Sequence, residues 1–105
     1  MDRRTETRVI TVPKVGGGFL VQKDASRVWQ ITVNPRFLFA QGQIDIYDGF
    51  DTQGKHEWQL LPGYSRINYF LPPIPCDYGI YVNADAHIIS FTIVWEVLKW
   101  RRGRA

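Results

Sequence analysis

The sequence predicts an all-β domain, an antiparallel β-sandwich of jelly-roll type with about eight strands. Three observations lead there. Apolar residues alternate at period two in most segments, while helical periodicity is nearly absent. Turn signals separate the runs at Gly16-Gly17-Gly18, Asn34-Pro35, Asp48-Gly49 and Pro62-Gly63. No helix is long enough to serve as a parallel crossover, which favours antiparallel pairing. An open five-strand barrel is the competing topology.

The elements follow in order. A first strand runs over Thr7 to Pro13, and the glycine turn after it predicts a hairpin with Phe19 to Lys23. Arg27 to Asn34 alternates, with Trp29, Ile31 and Val33 assigned to one face and Val28, Gln30 and Thr32 to the other. Arg36 to Tyr47 is a long segment that Gly42 interrupts, with Ile44 and Ile46 pointing inward and Asp45 toward solvent. His56 to Leu61 and Arg66 to Leu71 supply two more strands. Pro72-Pro73-Ile74-Pro75 lacks the N–H donors of a full ladder and is expected as an extended connection at a sheet end or edge. Tyr78 to Asn83 resumes pairing. His87 to Leu98 is the clearest strand, with Ile89, Phe91, Ile93, Trp95 and Val97 alternating with Ile88, Ser90, Thr92, Val94 and Glu96.

A chain of 105 residues supports one hydrophobic core and one domain. Its net charge of +3 is unevenly spread. Residues 9–98 carry six basic and eight acidic side chains, whereas the flanking segments carry seven basic and two acidic ones. The expected organisation is a basic N-terminal arm over residues 1–8, a single β-sandwich domain over 9–98 and a basic C-terminal tail over 99–105. Partner contacts are expected at Arg3, Arg4 and Arg8 in the arm and at Trp100, Arg101, Arg102 and Arg104 in the tail, where guanidinium groups and an indole meet an acidic surface. No apolar run is long enough to span a bilayer as a helix, and no signal-peptide pattern opens the chain, so no membrane role is expected.

Chemistry that would need a built site is poorly represented. The two histidines, His56 and His87, lie beside turns, and Ser65 and Ser90 sit in no nucleophile motif, so the expectation is a protein without catalytic residues. Asp45, Asp48 and Asp51 recur at three-residue spacing but lack the order of a calcium loop and read as turn and surface residues. No metal and no cofactor is expected. The glycine run is not followed by the Lys-Ser/Thr of a phosphate-binding loop. Cys76 is the single cysteine and reads as a small packed residue. Trp29 and Trp95 are expected in the core, while Tyr47, Tyr64, Tyr69 and Tyr81 are candidates for an exposed aromatic face.

The stretch Ile44-Asp45-Ile46-Tyr47-Asp48-Gly49, followed by Gly54, Trp58, Pro62-Gly63, Pro72-Pro73-Ile74-Pro75, Gly79-Ile80-Tyr81-Val82 and a last strand through Val94, resembles small β-sandwich structural proteins of tailed bacteriophages. The similarity spans roughly residues 43–97 and rests on turn and packing motifs. It implies a non-enzymatic virion component, most directly a capsid decoration (cement) or auxiliary head protein. Such a protein would be assembled in the host cytoplasm, bind major capsid or other virion proteins, and form homo-oligomers. The alternatives from other classes are a carbohydrate- or host-surface-binding module using a Tyr/Trp face with the loop Asp48 to Lys55, and a nucleic-acid-binding protein acting through the basic tails.

Overall fold

The computed structural model describes residues 4–35, 42–60 and 67–98. Residues 36–41 of the expected segment Arg36 to Tyr47, together with Arg3, Tyr64, Ser65, Trp100, Arg101, Arg102 and Arg104, lie outside the described residues. Eight strands account for most of the described chain: β1 (Arg4–Thr11), β2 (Gly17–Gln22), β3 (Ser26–Pro35), β4 (Ile44–Asp48), β5 (Lys55–Leu60), β6 (Ile67–Cys76), β7 (Ile80–Ala84) and β8 (Ile88–Val97). They form two four-stranded antiparallel sheets, ordered β1-β8-β3-β6 and β2-β7-β4-β5. We call them sheets A and B.

The pairing has a simple generator. β4 pairs with β5, β3 with β6, β2 with β7 and β1 with β8, so the chain behaves as one long antiparallel hairpin hinged at the β4–β5 turn. Rolling that hairpin up adds the β3–β8 and β4–β7 pairings and closes a jelly roll. β1 and β2 therefore lie in different sheets. The hairpin expected across Gly16 to Gly18 is not formed, because Ile10 and Val12 gain more burial beside β8 than a local ribbon would give them. β1 takes in residues 4–8, assigned above to the N-terminal arm, and pairs Arg4 with Val97 and Arg8 with Ile93.

The core is aliphatic and lies between the sheets. Val28, Ile31, Ile44, Ile46, Ile80, Val82, Ile88, Ile93 and Val97 have no exposed surface, and Phe91 meets Phe19 of the opposite sheet edge to face, with ring centroids 5.8 Å apart. Trp95 is buried as expected. Trp29 is not: it is half-buried, because the β3 register shifts between Val28 and Gln30 in both of its pairings. That bulge changes the phase of the alternation and turns Val28, not Trp29, into the core. The same irregularity absorbs the prolines. Val28 pairs with Ile74 and Gln30 with Tyr69, so Phe70 to Pro73 bulge out of β6 opposite a single residue. The proline segment is thus part of an edge strand rather than a connection, and Phe70 packs inward on Trp58 at 5.0 Å.

Candidate interaction site

At one end of the sandwich the β4–β5 turn and the β6–β7 turn are tied together. Asp48 ends β4 on its inward-facing row, where an aliphatic side chain would continue the core. Its Oδ1 instead accepts the backbone N–H groups of Tyr78 at 2.8 Å and Gly79 at 3.4 Å. Gly49 N–H donates to the Gly79 carbonyl at 3.1 Å and completes the tie. Gly79 is required by the close approach, since a Cβ there would stand 2.7 Å from the Gln22 carbonyl oxygen.

Between these turns opens a cleft of about 420 Å³, walled by Asp48, Phe50, Lys55, Glu57, Asp77 and Tyr78. Its rings are available to a partner: Phe50 is 54% exposed and Tyr78 is 69% exposed. Among these six residues three carboxylates face one ammonium, and that ammonium, Lys55 Nζ, lies 3.7 Å from Glu57 Oε2. The cleft therefore joins exposed aromatic surface to net negative charge. One of its walls belongs to the loop Asp48 to Lys55 that the sequence singled out. The other, thirty residues away, had no sequence signal beyond a tyrosine after a cysteine.

The outer face of sheet B carries a second polar cluster. The cross-strand register sets Leu20, Tyr81, Tyr47 and His56 in one row. His56 Nε2 lies 2.8 Å from Asp45 Oδ1, and Gln43 Nε2 donates to Asp45 Oδ2 at 3.2 Å. Asp45 does point to the outer face, but it is only 6% exposed because His56 and Gln43 cover it, which corrects the solvent-facing expectation. Tyr47 touches His56 and Tyr81 in tilted and edge-to-face geometry, and Tyr81 lies over Gly18, where any Cβ would overlap its phenol. Tyr47 and Tyr81 are half-buried and packed on each other, with Tyr47 also against the exposed His56, which leaves neither phenol an open ring face comparable to Tyr78. The three expected surface aspartates are thus separately committed: Asp45 to His56, Asp48 to the turn amides, and Asp51 to the Gln53 N–H at 2.8 Å. His87 lies near Asp85 at the opposite end of sheet B, and Ser90 accepts from Asn34 on the outer face of sheet A at 3.4 Å.

The outer face of sheet A is uncharged over two full rows, Val9-Thr92-Thr32-Ile67 and Thr7-Val94-Gln30-Tyr69. Its β6 edge ends in a run of exposed apolar side chains, Ile67 (51%), Tyr69 (72%) and Leu71 (88%), with Val9 (65%) at the β1 edge. Arg8 is exposed on β1, one residue before Val9. Of the residues expected to meet a partner, Arg4 and Arg8 are placed on this edge strand.

Cys76 is fully buried, and burial first, then the negative charge of Asp48, pushes its thiol up to about 12. A thiol reacts as thiolate and ordinarily ionises near 9.0, so at neutral pH Cys76 should react about 10³-fold more slowly than a free cysteine from ionisation alone. The expected result is no labelling by a disulfide reagent in the folded chain and one equivalent after urea. Rapid labelling of the native chain would contradict the buried assignment. The sign for stability follows: above pH about 9 the unfolded chain releases this proton while the folded chain keeps it, so stability falls as pH rises toward 12.

No protein-family profile and no curated protein matches the sequence. Solved structures do match in shape. The chain is similar to a subunit of the Bacillus endospore appendages described as a family of disulfide-linked pili, at 7% identity and a TM-score of 0.57, over 91% of this chain and 86% of that one. It is also similar to the SPBc2 prophage-derived protein YomS, at 14% identity and a TM-score of 0.41, over 91% and 92%. A third is the VP2 subviral particle of infectious bursal disease virus, at 10% identity and a TM-score of 0.35, covering 90% of this chain and 33% of that one. At these identities the pilus likeness is one of fold, and it agrees with the two-sheet jelly roll described above.

Proposed function

We propose that the protein is a non-enzymatic structural subunit that works by packing against neighbouring subunits in a many-copy particle, as a capsid decoration or auxiliary head protein of a phage virion does. The observation that carries this reading is the exposed run Ile67, Tyr69 and Leu71 at the edge of a sheet face that is uncharged over two full rows. Large side chains this exposed and this close together are costly to leave in water and mark a surface meant to be covered. The prolines at 72, 73 and 75 cannot donate to an added strand, so the neighbour would lie on the face rather than extend the sheet. Arg8 at the far edge, with Arg3 and Arg4 before it, brings positive charge for an acidic neighbour.

The fold shared with a pilus subunit supports a part repeated in an assembly, although that relative's pili are described as disulfide-linked. Here the single cysteine is buried, so contacts would be non-covalent and would rely on many weak interfaces acting together. The test is light scattering over a range of concentrations, followed by cosedimentation with empty phage shells. The wild-type chain should self-associate or bind shells saturably. The double variant Tyr69→Lys, Leu71→Lys should lose that association while its thermal unfolding stays within about 0.5 kcal/mol, since both side chains are exposed. A wild-type chain that stays monomeric and remains in the supernatant would overturn the reading.

A further inference from the structure

We propose that the end cleft between the β4–β5 and β6–β7 turns is the docking site for the basic segment 99–105 of the same chain, with Trp100 on the Phe50 and Tyr78 rings and the arginines on the carboxylates. The inference does not depend on how the particle assembles.

Position is the first argument. Val97, Ser26 and Cys76 are successive partners across β8, β3 and β6, and Leu98 N–H donates to the Ala25 carbonyl at 3.0 Å. The chain therefore leaves β8 at the same end of the sandwich as the cleft. It emerges two strand spacings, about 10 Å, from Cys76, which directly precedes Asp77 and Tyr78. Seven residues reach up to roughly 25 Å when extended, so Trp100 and both following arginines can arrive without any change in the sandwich. Tethering also makes the encounter intramolecular, at an effective concentration on the order of millimolar.

Complementarity is the second. Lys99, Arg101, Arg102 and Arg104 bring four cations and no acid, and the cleft offers Asp48, Glu57 and Asp77 against Lys55 alone. Asp48 spends one oxygen on the turn amides and Glu57, its side chain 13% exposed, faces Lys55, which leaves the exposed Asp77 as the principal partner for a guanidinium fork and Glu57 as the second. Phe50 and Tyr78 present aromatic surface that the indole can cover and an arginine can stack on. A segment with an aromatic residue followed directly by two arginines matches a cleft with aromatic walls and an acidic rim.

A spin label on Ala105→Cys tests this on the full chain, because buried Cys76 leaves the introduced thiol as the one that reacts. In ¹⁵N-labelled protein, the amide signals of Phe50, Asp77 and Tyr78 should lose most of their intensity while the label is paramagnetic and recover it on reduction. The loss should persist when labelled chain is diluted into unlabelled wild type. Charge reversal by Asp77→Lys together with Glu57→Lys, or raised salt, should abolish it. Broadening seen only when spin-labelled unenriched chain is mixed with ¹⁵N chain would assign the cleft to a second copy and overturn the proposal. No broadening at these amides, or broadening that survives charge reversal, would also overturn it. Self-association of the Tyr69→Lys, Leu71→Lys variant reports on the sheet A face separately, so each reading can fail alone.

Discussion

Replacing Phe91 with alanine should lower the unfolding free energy by about 3–5 kcal/mol, enough to leave a domain of this size partly unfolded at room temperature. Phe91 is 1% exposed and is the largest fully buried side chain among the described residues. It lies on β8 between Ile10 of β1 and Val33 of β3, and its ring contacts Phe19 of β2 in the facing sheet. One side chain thus ties two neighbouring strands and both layers. The aliphatic residues around it are β-branched and held in ladders, so they cannot collapse into the space a phenyl ring leaves. Phe91→Leu keeps most of the volume and should cost about 1–1.5 kcal/mol. Urea unfolding checks this: the midpoint should drop with little change in slope for both variants. A loss below about 1 kcal/mol for the alanine variant would contradict the inter-sheet placement of this ring.

The same strand shows what the sequence conveys and what it leaves out. Alternation holds from Phe91 to Val97, where β8 pairs without interruption, but fails at Ile89: the register shift opposite Asn34 and Pro35 buries Ile88 in its place and leaves Ile89 half-buried. In β3 the rule fails at Trp29, since the bulge exists only in the pairing with β8 and β6 on either side and the β3 sequence carries no mark of it. The prolines of β6 were correctly read as unable to join a central ladder. Their edge position still allowed them into a strand, which only the pairing partner could reveal. The pairing of β1 with β8 joins residues as far apart as Arg4 and Val97, and the glycine turn after β1 looks the same whether the chain makes a hairpin or crosses to the other sheet. Local signals locate strands; they do not choose partners.

The candidate cleft divides in the same way. Asp48-Gly49 announced a turn, and the loop up to Lys55 was marked as a surface feature by its polarity. Its second wall came from Asp77 and Tyr78, brought in by contacts at a separation of about thirty residues. For Asp45, the strand pattern gave the correct direction. Its burial came from His56, whose placement depends on the irregular β4–β5 register.

Asp48→Ala should be the most damaging change at the cleft, costing about 2–4 kcal/mol and separating its two walls. The carboxylate removes two turn amides from water's share of the work, accepting from Tyr78 and Gly79 with one oxygen. Alanine leaves both N–H groups without that acceptor, one of them in a buried contact, and no side chain of matching shape replaces it. Asp48→Asn keeps an acceptor oxygen in place and should cost about 1 kcal/mol, the difference between a charged and a neutral acceptor. The two variants also separate charge from burial at Cys76. Asp48 is the second cause, after burial, of the raised thiol pKa, so either variant should lower it, but only alanine should also admit reagent by loosening the turn above the sulfur. Urea unfolding with thiol labelling at fixed pH reads both effects together. Equal stability and equal labelling for the alanine and asparagine variants would show that the two turns are held by the Gly49–Gly79 backbone bond alone, and that Asp48 serves the rim charge rather than the architecture.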